Sequence, residues 1–513
     1  MVERVLAKDE IGVRFPVTAQ NEMELKPSLI PKEVSQVVSG LEAGGFEAWV
    51  VGGCVRDLLL GRQPKDWDVT TNATPEDIQR LFENTFYTNE FGTVGVVNDG
   101  VEEGSLKVIE VTPYRVEGTY SDARRPDTVE FSQKIEDDLK RRDFTINALA
   151  YSPTKGELLD LYEGIKDIEV GVVRAVGDAA DRFNEDALRI LRAVRISAEL
   201  GFAIEASTRD AMATCATQLE KISKERIRDE FVRIVASDRP MAALVLAHEV
   251  GVLKYILPEL EEGIGIEQNQ AHKYDVYEHN LRSLQHAADK GWNLDIRLSA
   301  LLHDIGKPAS RRWGTDKKDW TFHGHEVVGA RMTKKILQNL KFPRETVDTV
   351  TSLVRWHMFF SDPAVVTLSA VRRIVANVGQ EHIWDLVNLR ICDRIGTGRP
   401  KEQPFRLRKY QSMIEQAMRD PISVGMLKTD GRHLMEVTGE KPGPRLGWML
   451  HALLEEVLDD PTKNTNEYLD TRAQELAKLR DEELKVLGEE GKERKAAEDE
   501  AAVKDIDKKY FVE

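Results

Sequence analysis

The chain has 513 residues, 41% of them hydrophobic and 31% charged, which is room for roughly three to five domains with real cores. No apolar run approaches the ~20 residues of a membrane-spanning helix. The first residues (MVERVLAKDEIG) lack the basic-then-apolar order of a secretory signal. Cys54, Cys215 and Cys392 form no CxxC pair, which excludes a disulfide framework or a cysteine zinc site and points to reducing, cytoplasmic surroundings. A net charge of −16 speaks against nucleic acid as a partner if the sum alone counts. Charge is local, however. From Arg390 to Lys409 seven basic residues face only Asp393 and Glu402, and Arg189, Arg192 and Arg195 stripe one helix.

Residues 1–27 show no periodicity and read as an extension. Between 28 and 172 the pattern is mixed: a helix over Pro31–Ala43, then strands over Phe46–Val51, Trp67–Thr70, Thr93–Val97, Leu106–Thr112, Thr128–Phe131 and Glu157–Leu161. From about 173 to 470 apolar residues recur at three and four, the spacing of helices. Beyond 470 the chain is rich in Glu, Lys and Ala. Its weak stripe of Leu476, Leu479, Leu484 and Leu487 reads as a solvated helix or frayed tail.

Three constellations carry chemistry. In the first, a strand runs into Gly52-Gly53-Cys54-Val55-Arg56-Asp57 and a short helix stopped by Gly61. Glycines let backbone approach a phosphate, and Arg56 adds a bidentate contact. Asp66-Trp67-Asp68 follows; in a strand, i and i+2 share a face, so two carboxylates would flank a cation such as Mg²⁺. Glu110 is a candidate third carboxylate. In the second, Glu185-Asp186-Ala187-Leu188-Arg189 opens a helix with Asn184 as its N-cap. Asp186 and Arg189, three apart, could read the edge of a base. In the third, His279, His303-Asp304, His323-Gly324-His325 and His357 stand in a stretch, 279 to 357, that holds six of the 11 histidines, a pattern suited to a divalent transition metal. His279, His303, Asp304 and Asp393, rather than Asp385, are the expected ligands; His325 and His357 could hold a second ion. Finally, the turn Lys441-Pro442-Gly443-Pro444-Arg445 at a helix start suits an RNA phosphate.

These strings resemble class II CCA-adding enzymes and the related bacterial poly(A) polymerases, members of the polymerase beta-like nucleotidyltransferase superfamily. The resemblance extends through Arg115-x-Glu117-Gly118-x-Tyr120-x-Asp122-x-Arg124-Arg125-Pro126, the family's flexible loop. It continues through Asp138-Leu139-x-Arg141-Arg142-Asp143-Phe144-Thr145-Ile146-Asn147-Ala148 and covers about 46–470. One departure is Pro113, where a non-proline residue is usual. The resemblance implies that Arg142 contacts the triphosphate and that Asp143 and Asn147 select the ribose and shape the site. It implies that Asp186 and Arg189 choose CTP or ATP, and that Arg192 and Arg195 contact the triphosphate. Glu225 and Arg226 read as mainly structural. The histidine segment resembles the HD phosphohydrolase superfamily, implying hydrolysis of 2′,3′-cyclic phosphates or phosphomonoesters with a metal such as Ni²⁺ or Mn²⁺. Residues around Lys441 and Arg445 resemble the family's tail, which grips the tRNA acceptor arm.

The expected fold is α+β: a nucleotidyltransferase head with a mixed sheet (28–172), then mostly helical neck (173–262), HD domain (263–400) and tail (401–470), with a charged segment at 471–513. The expected function is template-independent addition or repair of the 3′-terminal CCA of tRNA from CTP and ATP. Two alternatives stay open: a poly(A) polymerase or A-adding enzyme, and an HD phosphohydrolase whose head only binds RNA. Monomer and homodimer are equally compatible with the sequence, and no membrane partner is expected.

Overall fold

The computed structural model describes residues 25–88, 92–117, 129–269, 272–315, 318–359, 366–419, 424–459 and 461–487. The chain divides into two compact units, Met1–Thr351 and Ser352–Glu513. The division falls inside the segment expected to run from 263 to 400, and within one helix, Arg344–Trp356.

The first unit opens with helix α1 (Lys32–Ala43), whose buried Val34, Val37, Val38 and Leu41 repeat at helical spacing. Each such side chain, fully buried, contributes roughly 1.5–3 kcal/mol. The helix packs beside a seven-stranded sheet of order β3-β4-β5-β2-β1-β8-β9. The strands are β1 (Ala48–Val51), β2 (Asp68–Thr71), β3 (Thr85–Tyr87), β4 (Val94–Val97), β5 (Val108–Pro113), β8 (Leu149–Ser152) and β9 (Glu157–Asp160). Only β2 and β5 run parallel; every other neighbouring pair is antiparallel. This is the α+β head expected from the sequence. All four residues of β1 are buried, as a central strand covered on both faces requires.

Strands β3 and β8 were not expected. The first is a three-residue edge strand, and the second is a buried run with no alternation, so periodicity does not reveal them. The strand expected over Thr128–Phe131 is β7 (Val129–Phe131), paired with β6 (Arg115–Glu117) in a separate ribbon. The loop carrying Gly118, Tyr120, Asp122, Arg124, Arg125 and Pro126 lies outside the described residues.

Helices follow. α2 (Ala179–Glu185) and α3 (Leu188–Leu200) meet at a break at Asp186, and α4 (Lys224–Ala236) packs on α3. Asn184 therefore sits inside α2 and caps nothing; the Asp186 carboxylate instead accepts from the Leu188 amide at 3.1 Å. Helices α5 (Val276–Asp289) and α6 (Leu294–Leu302), the turn α7 (Lys307–Ser310) and α8 (His325–Asn339) complete the first unit's histidine-rich part.

The second unit contains α9 (Ile383–Gly396), α10 (Gly431–Thr438), α11 (Pro444–Asp459) and α12 (Asn466–Leu476). The expectation of a solvated tail beyond 470 is corrected here. Leu476 and Leu484 are buried with Leu434, Met449, Leu453 and Val457 in one cluster, and α12 runs across position 470. The leucine stripe is sparse because the helix is short, not because it is unpartnered. Residues 488–513 lie outside the described residues.

Candidate functional site

At the head, the parallel register sets Asp68 of β2 beside Glu110 of β5, so the two side chains stand on one face. Asp66 lies in the bend before β2 rather than in the strand. The expected i, i+2 strand geometry therefore applies to neither aspartate fully, yet the charges still meet. Burial first, then Asp66 and Glu110, push the Asp68 carboxyl up to about 7 against the pull of Arg142 and Arg192. Burial and Asp66 also raise Glu110. Asp66 thus raises both Asp68 and Glu110, and crowded carboxylates of this kind are hard oxygen donors that suit Mg²⁺. Cys54 is no nucleophile, because burial and Asp68 push its thiol up to about 12.

Gly52, at φ 89°, sits where backbone, guanidinium and carboxylate crowd. A Cβ there would lie 2.9 Å from Arg142 Nη1 and 3.7 Å from Asp68 Oδ2, so no other residue fits without displacing Arg142. Gly53 starts the following helix, and its own Cβ would meet Arg56 Nη2 at 3.5 Å.

Around this centre the arginines are already engaged. Arg56 Nη1 donates to Asn147 Oδ1 at 2.6 Å and Nη2 to Asp57 Oδ1 at 2.7 Å. Arg142 Nη2 donates to Asp138 Oδ2 at 3.1 Å. Burial alone would raise the Asp138 carboxyl, but Arg141 and Arg142 outweigh it and hold it below the usual range. Asp138 is a residue that sequence reasoning quoted without a role. Its signal was there: Arg141 and Arg142 follow at i+3 and i+4, the spacing of same-face helix pairs. Asp143 accepts from Asn147 Nδ2 at 3.0 Å and from Arg192 Nε at 2.7 Å. Burial opposes its ionisation, and Arg192 with Asn147 overcome that to hold the carboxyl well below the ordinary range.

The helical part supplies the expected base-reading pair in an unexpected state. Asp186 and Arg189 do not bond each other. Asp186 Oδ2 accepts from Arg226 Nη2 at 2.7 Å, across from α4. Arg189 Nη1 donates to Glu185 Oε2 at 2.7 Å and Nη2 to the Arg141 carbonyl at 3.0 Å, joining α3 to the head. Arg226 thus holds the very carboxylate expected to read the base. Arg195 corrects the expectation of a triphosphate contact. Its Nε donates to Glu230 Oε2 at 2.7 Å and its Nη1 to Glu199 Oε2 at 2.8 Å. One turn beyond Arg192, it is a buried strut between α3 and α4.

A second centre lies in the first unit's histidine-rich part. His279, on α5, and His303 and Asp304, just past α6, are at most 1% exposed, and His325, which starts α8, is 4% exposed. His279 Nε2 lies 2.9 Å from His303 Nε2 and 3.1 Å from Asp304 Oδ2. His325 Nε2 is 3.2 Å from Asp304 Oδ1. His303 Nδ1 donates to the Ala300 carbonyl at 2.9 Å and His325 Nδ1 to that of Phe322 at 2.7 Å. Those bonds fix the tautomer that leaves each Nε2 as a lone pair turned toward the carboxylate. Convergent nitrogen lone pairs and a carboxylate oxygen in a dry site fit a divalent transition metal. His303, Lys307 and His279 hold the Asp304 carboxyl well below the ordinary range although burial pushes it up. Lys307 Nζ donates to Asp304 Oδ2 at 2.5 Å and to Gln268 Oε1 at 2.6 Å. Gly306 lets α7 meet α8: a Cβ would lie 2.4 Å from the His325 carbonyl oxygen.

In the second unit, His357 Nδ1 donates to the Val354 carbonyl at 2.6 Å, the same tautomer. Asp393 is buried on α9 and accepts from Arg390 Nη1 at 2.5 Å. Asp385, the alternative, accepts from His382 Nδ1 at 3.2 Å. Lys441 is exposed before α11. Arg445 has a different task from the one expected. It donates to Glu440 at 3.0 Å, to the carbonyls of Ala477 and Leu479 at 3.0 and 3.1 Å, and to Asp481. It fastens the end of α12 rather than facing RNA.

No helix among the described residues is long and apolar enough to cross a membrane. Three families match in order along the chain. They are the poly A polymerase head domain over 48–174, the probable RNA- and SrmB-binding site of polymerase A over 201–264, and the HD domain over 276–395. The CCA-adding enzyme of Leuconostoc mesenteroides is 44% identical over 261 residues, 49% of this chain and 63% of that protein. That of Lactiplantibacillus plantarum is 32% identical over 437 residues, 84% of this chain and 93% of that protein. The crystal structure of Bacillus stearothermophilus CCA-adding enzyme in complex with CTP is 28% identical. It covers 88% of this chain and 98% of that one at a TM-score of 0.63. With a relative 32% identical and covered over 93% of its own length, the chain belongs to the family of CCA-adding enzymes.

Proposed function

We propose that the head transfers CMP and AMP from CTP and ATP to the 3′-hydroxyl of tRNA, completing or repairing its CCA end. The observation that carries this reading is Asp68 standing in register beside Glu110, 3.7 Å from where a Gly52 Cβ would lie and raised by burial, Asp66 and Glu110. The 3′-oxygen bonds to the α-phosphorus, the bond to the β-phosphate breaks, and pyrophosphate leaves. Asp66 and Asp68 would hold Mg²⁺, which when bound stabilises the leaving and attacking oxygens. Glu110, its carboxyl raised by burial and Asp66, is suited to take the hydroxyl proton. Arg142 and Arg192 receive the triphosphate by leaving Asp138 and Asp143. Asp186 and Arg189 present acceptor and donor to the base, and Arg56, Gly53 and Asn147 shape the pocket. Lys441 contacts the tRNA backbone.

The histidine centre serves a second reaction. His279, His303 and Asp304 would hold Ni²⁺ or Mn²⁺, whose Lewis acidity supports hydrolysis of a phosphate ester at a damaged RNA end. The first reading is tested with tRNA transcripts ending before, within and after CCA, given CTP and ATP separately and together. Stepwise addition that stops at CCA supports it. Long A tails, or addition indifferent to CTP, overturn it.

A further inference from the structure

The two-stranded ribbon β10 (Arg312–Gly314) and β11 (Asp319–Thr321) interrupts the histidine–aspartate segment. The turn α7, whose Lys307 bonds Asp304, leads into it, and His325 follows four residues after it. Trp313 and Trp320 stand opposite each other in register. Their rings meet edge to face at 5.1 Å, and Trp313 is 54% exposed. A ribbon this short has no core to justify two tryptophans. The Arg311 guanidinium lies 3.6 Å over the Trp320 ring. Its Nε is shielded from water without a hydrogen-bond partner, and no ion pair of Arg311 occurs among the described residues. Arg312 and Lys318 are exposed on the same ribbon. The ribbon's half-buried acid, Asp319, accepts from the Trp320 amide at 2.8 Å.

An exposed Trp313 ring next to a guanidinium that stacks on Trp320 and has no ion pair among the described residues matches one ligand chemistry: a flat π-system carrying a phosphate. A purely apolar partner would leave the shielded Arg311 Nε without a hydrogen bond, which is costly. We propose that this ribbon is a stacking platform for an unpaired nucleotide at an RNA end, its base on Trp313 and its phosphate on Arg311. Five residue steps lead from Trp320 to His325, at most ~17 Å of chain. The proposed platform and the histidine centre are therefore near neighbours along the chain. The inference rests on the reading of that centre as a phosphoesterase and supplies its substrate preference: nucleotides in single-stranded RNA ends rather than free phosphomonoesters.

The test needs no hydrolysis. The full chain is cross-linked at long-wavelength ultraviolet to a 4-thiouridine-containing single-stranded pentanucleotide, and tryptic peptides are mapped. Cross-links are expected on the peptides spanning 313–317 and 319–331. Trp313→Ala should lower their yield roughly fivefold or more, while Trp313→Phe stays within about twofold. Arg311→Gln should flatten the salt dependence of the cross-link by about one phosphate contact. Cross-links confined to other peptides, or a yield unchanged by Trp313→Ala, would overturn the proposal. So would Trp313-dependent self-association without any cross-link, because the ribbon would then be a protein contact. Cross-linking that persists in a protein unable to hydrolyse any phosphate ester supports the platform and sinks only the phosphoesterase reading.

Discussion

The head and the histidine centre solve opposite electrostatic problems within one unit. In the head, every arginine expected to meet nucleotide already has an acidic or carbonyl partner: Arg142 with Asp138, Arg192 with Asp143, Arg189 with Glu185 and Arg141. Only the carboxylates are left in conflict. In the histidine centre the imidazole lone pairs and Asp304 converge in a dry pocket with a single lysine among them. On the function proposed above, the head is a site of exchange, where triphosphate would replace carboxylates on guanidiniums that are paired before it arrives. On the same proposal the histidine centre is a trap that would hold one cation. Pre-paired arginines avoid the cost of buried unpaired charge between turnovers, and the exchange leaves the displaced acids free to contact sugar and base.

The largest effect that would break this contrast comes from the carboxylates. Asp68→Ala should slow nucleotide addition by on the order of 10³-fold, since cation stabilisation of the reacting oxygens supplies several kcal/mol. Binding of tRNA, measured by filter retention, should change by no more than about twofold. Retained addition would remove Asp68 from the cation site.

A smaller effect concerns pairing before ligand arrives. The Asp143 carboxyl is held low because Arg192 and Asn147 overcome its burial. A depressed carboxyl stabilises the fold fully above its unfolded value, ~3.9, and loses that contribution as pH falls through the lower folded value. Asp143→Asn should cost about 1–3 kcal/mol in urea unfolding at pH 6–8, discounted because Arg192 is partly solvated. The gap from wild type should close as pH drops below ~3.9. A gap independent of pH would mean that the pair is not what stabilises Asp143.

Smaller still is the effect at the base-reading end. Arg226 touches no expected substrate atom but fixes Asp186 through two nitrogens at 3.2 and 2.7 Å. Arg226→Ala should relax discrimination of CTP and ATP against UTP and GTP by roughly tenfold, the worth of one base contact. Arg226→Lys should restore part of it. An equal loss with all four nucleotides would make Arg226 a packing residue only.

Much of this contrast was readable in the residues. The Gly-Gly turn, the two aspartates and the His-Asp pair announce themselves by type and spacing, and the α1 face by its period. The pairings do not. Nothing local tells Asp186 to choose Arg226, forty residues on, over Arg189, three residues on; the break between α2 and α3 decides it. Arg195 and Arg445 read as nucleic-acid contacts because an arginine in sequence carries no record of its acceptors. In three dimensions Glu230 and Glu199, and the end of α12, claim them. Strand β8 escaped because a strand buried on both faces has no alternation. The burial of Leu484 escaped because its cluster includes Leu434, Met449, Leu453 and Val457, 27–50 residues back on other helices.

The central claim, one exchange site and one cation trap, is tested most directly by crossing two variants with two readouts. Wild type, Asp68→Ala and His303→Ala are passed through gel filtration, assayed for retained transition metal, and then given CCA-lacking tRNA with CTP and ATP. The account predicts that Asp68→Ala keeps the metal and loses addition, while His303→Ala loses the metal and adds within about twofold of wild type. If His303→Ala abolishes addition while remaining folded, or if wild type retains no metal, the two centres are not the independent devices described.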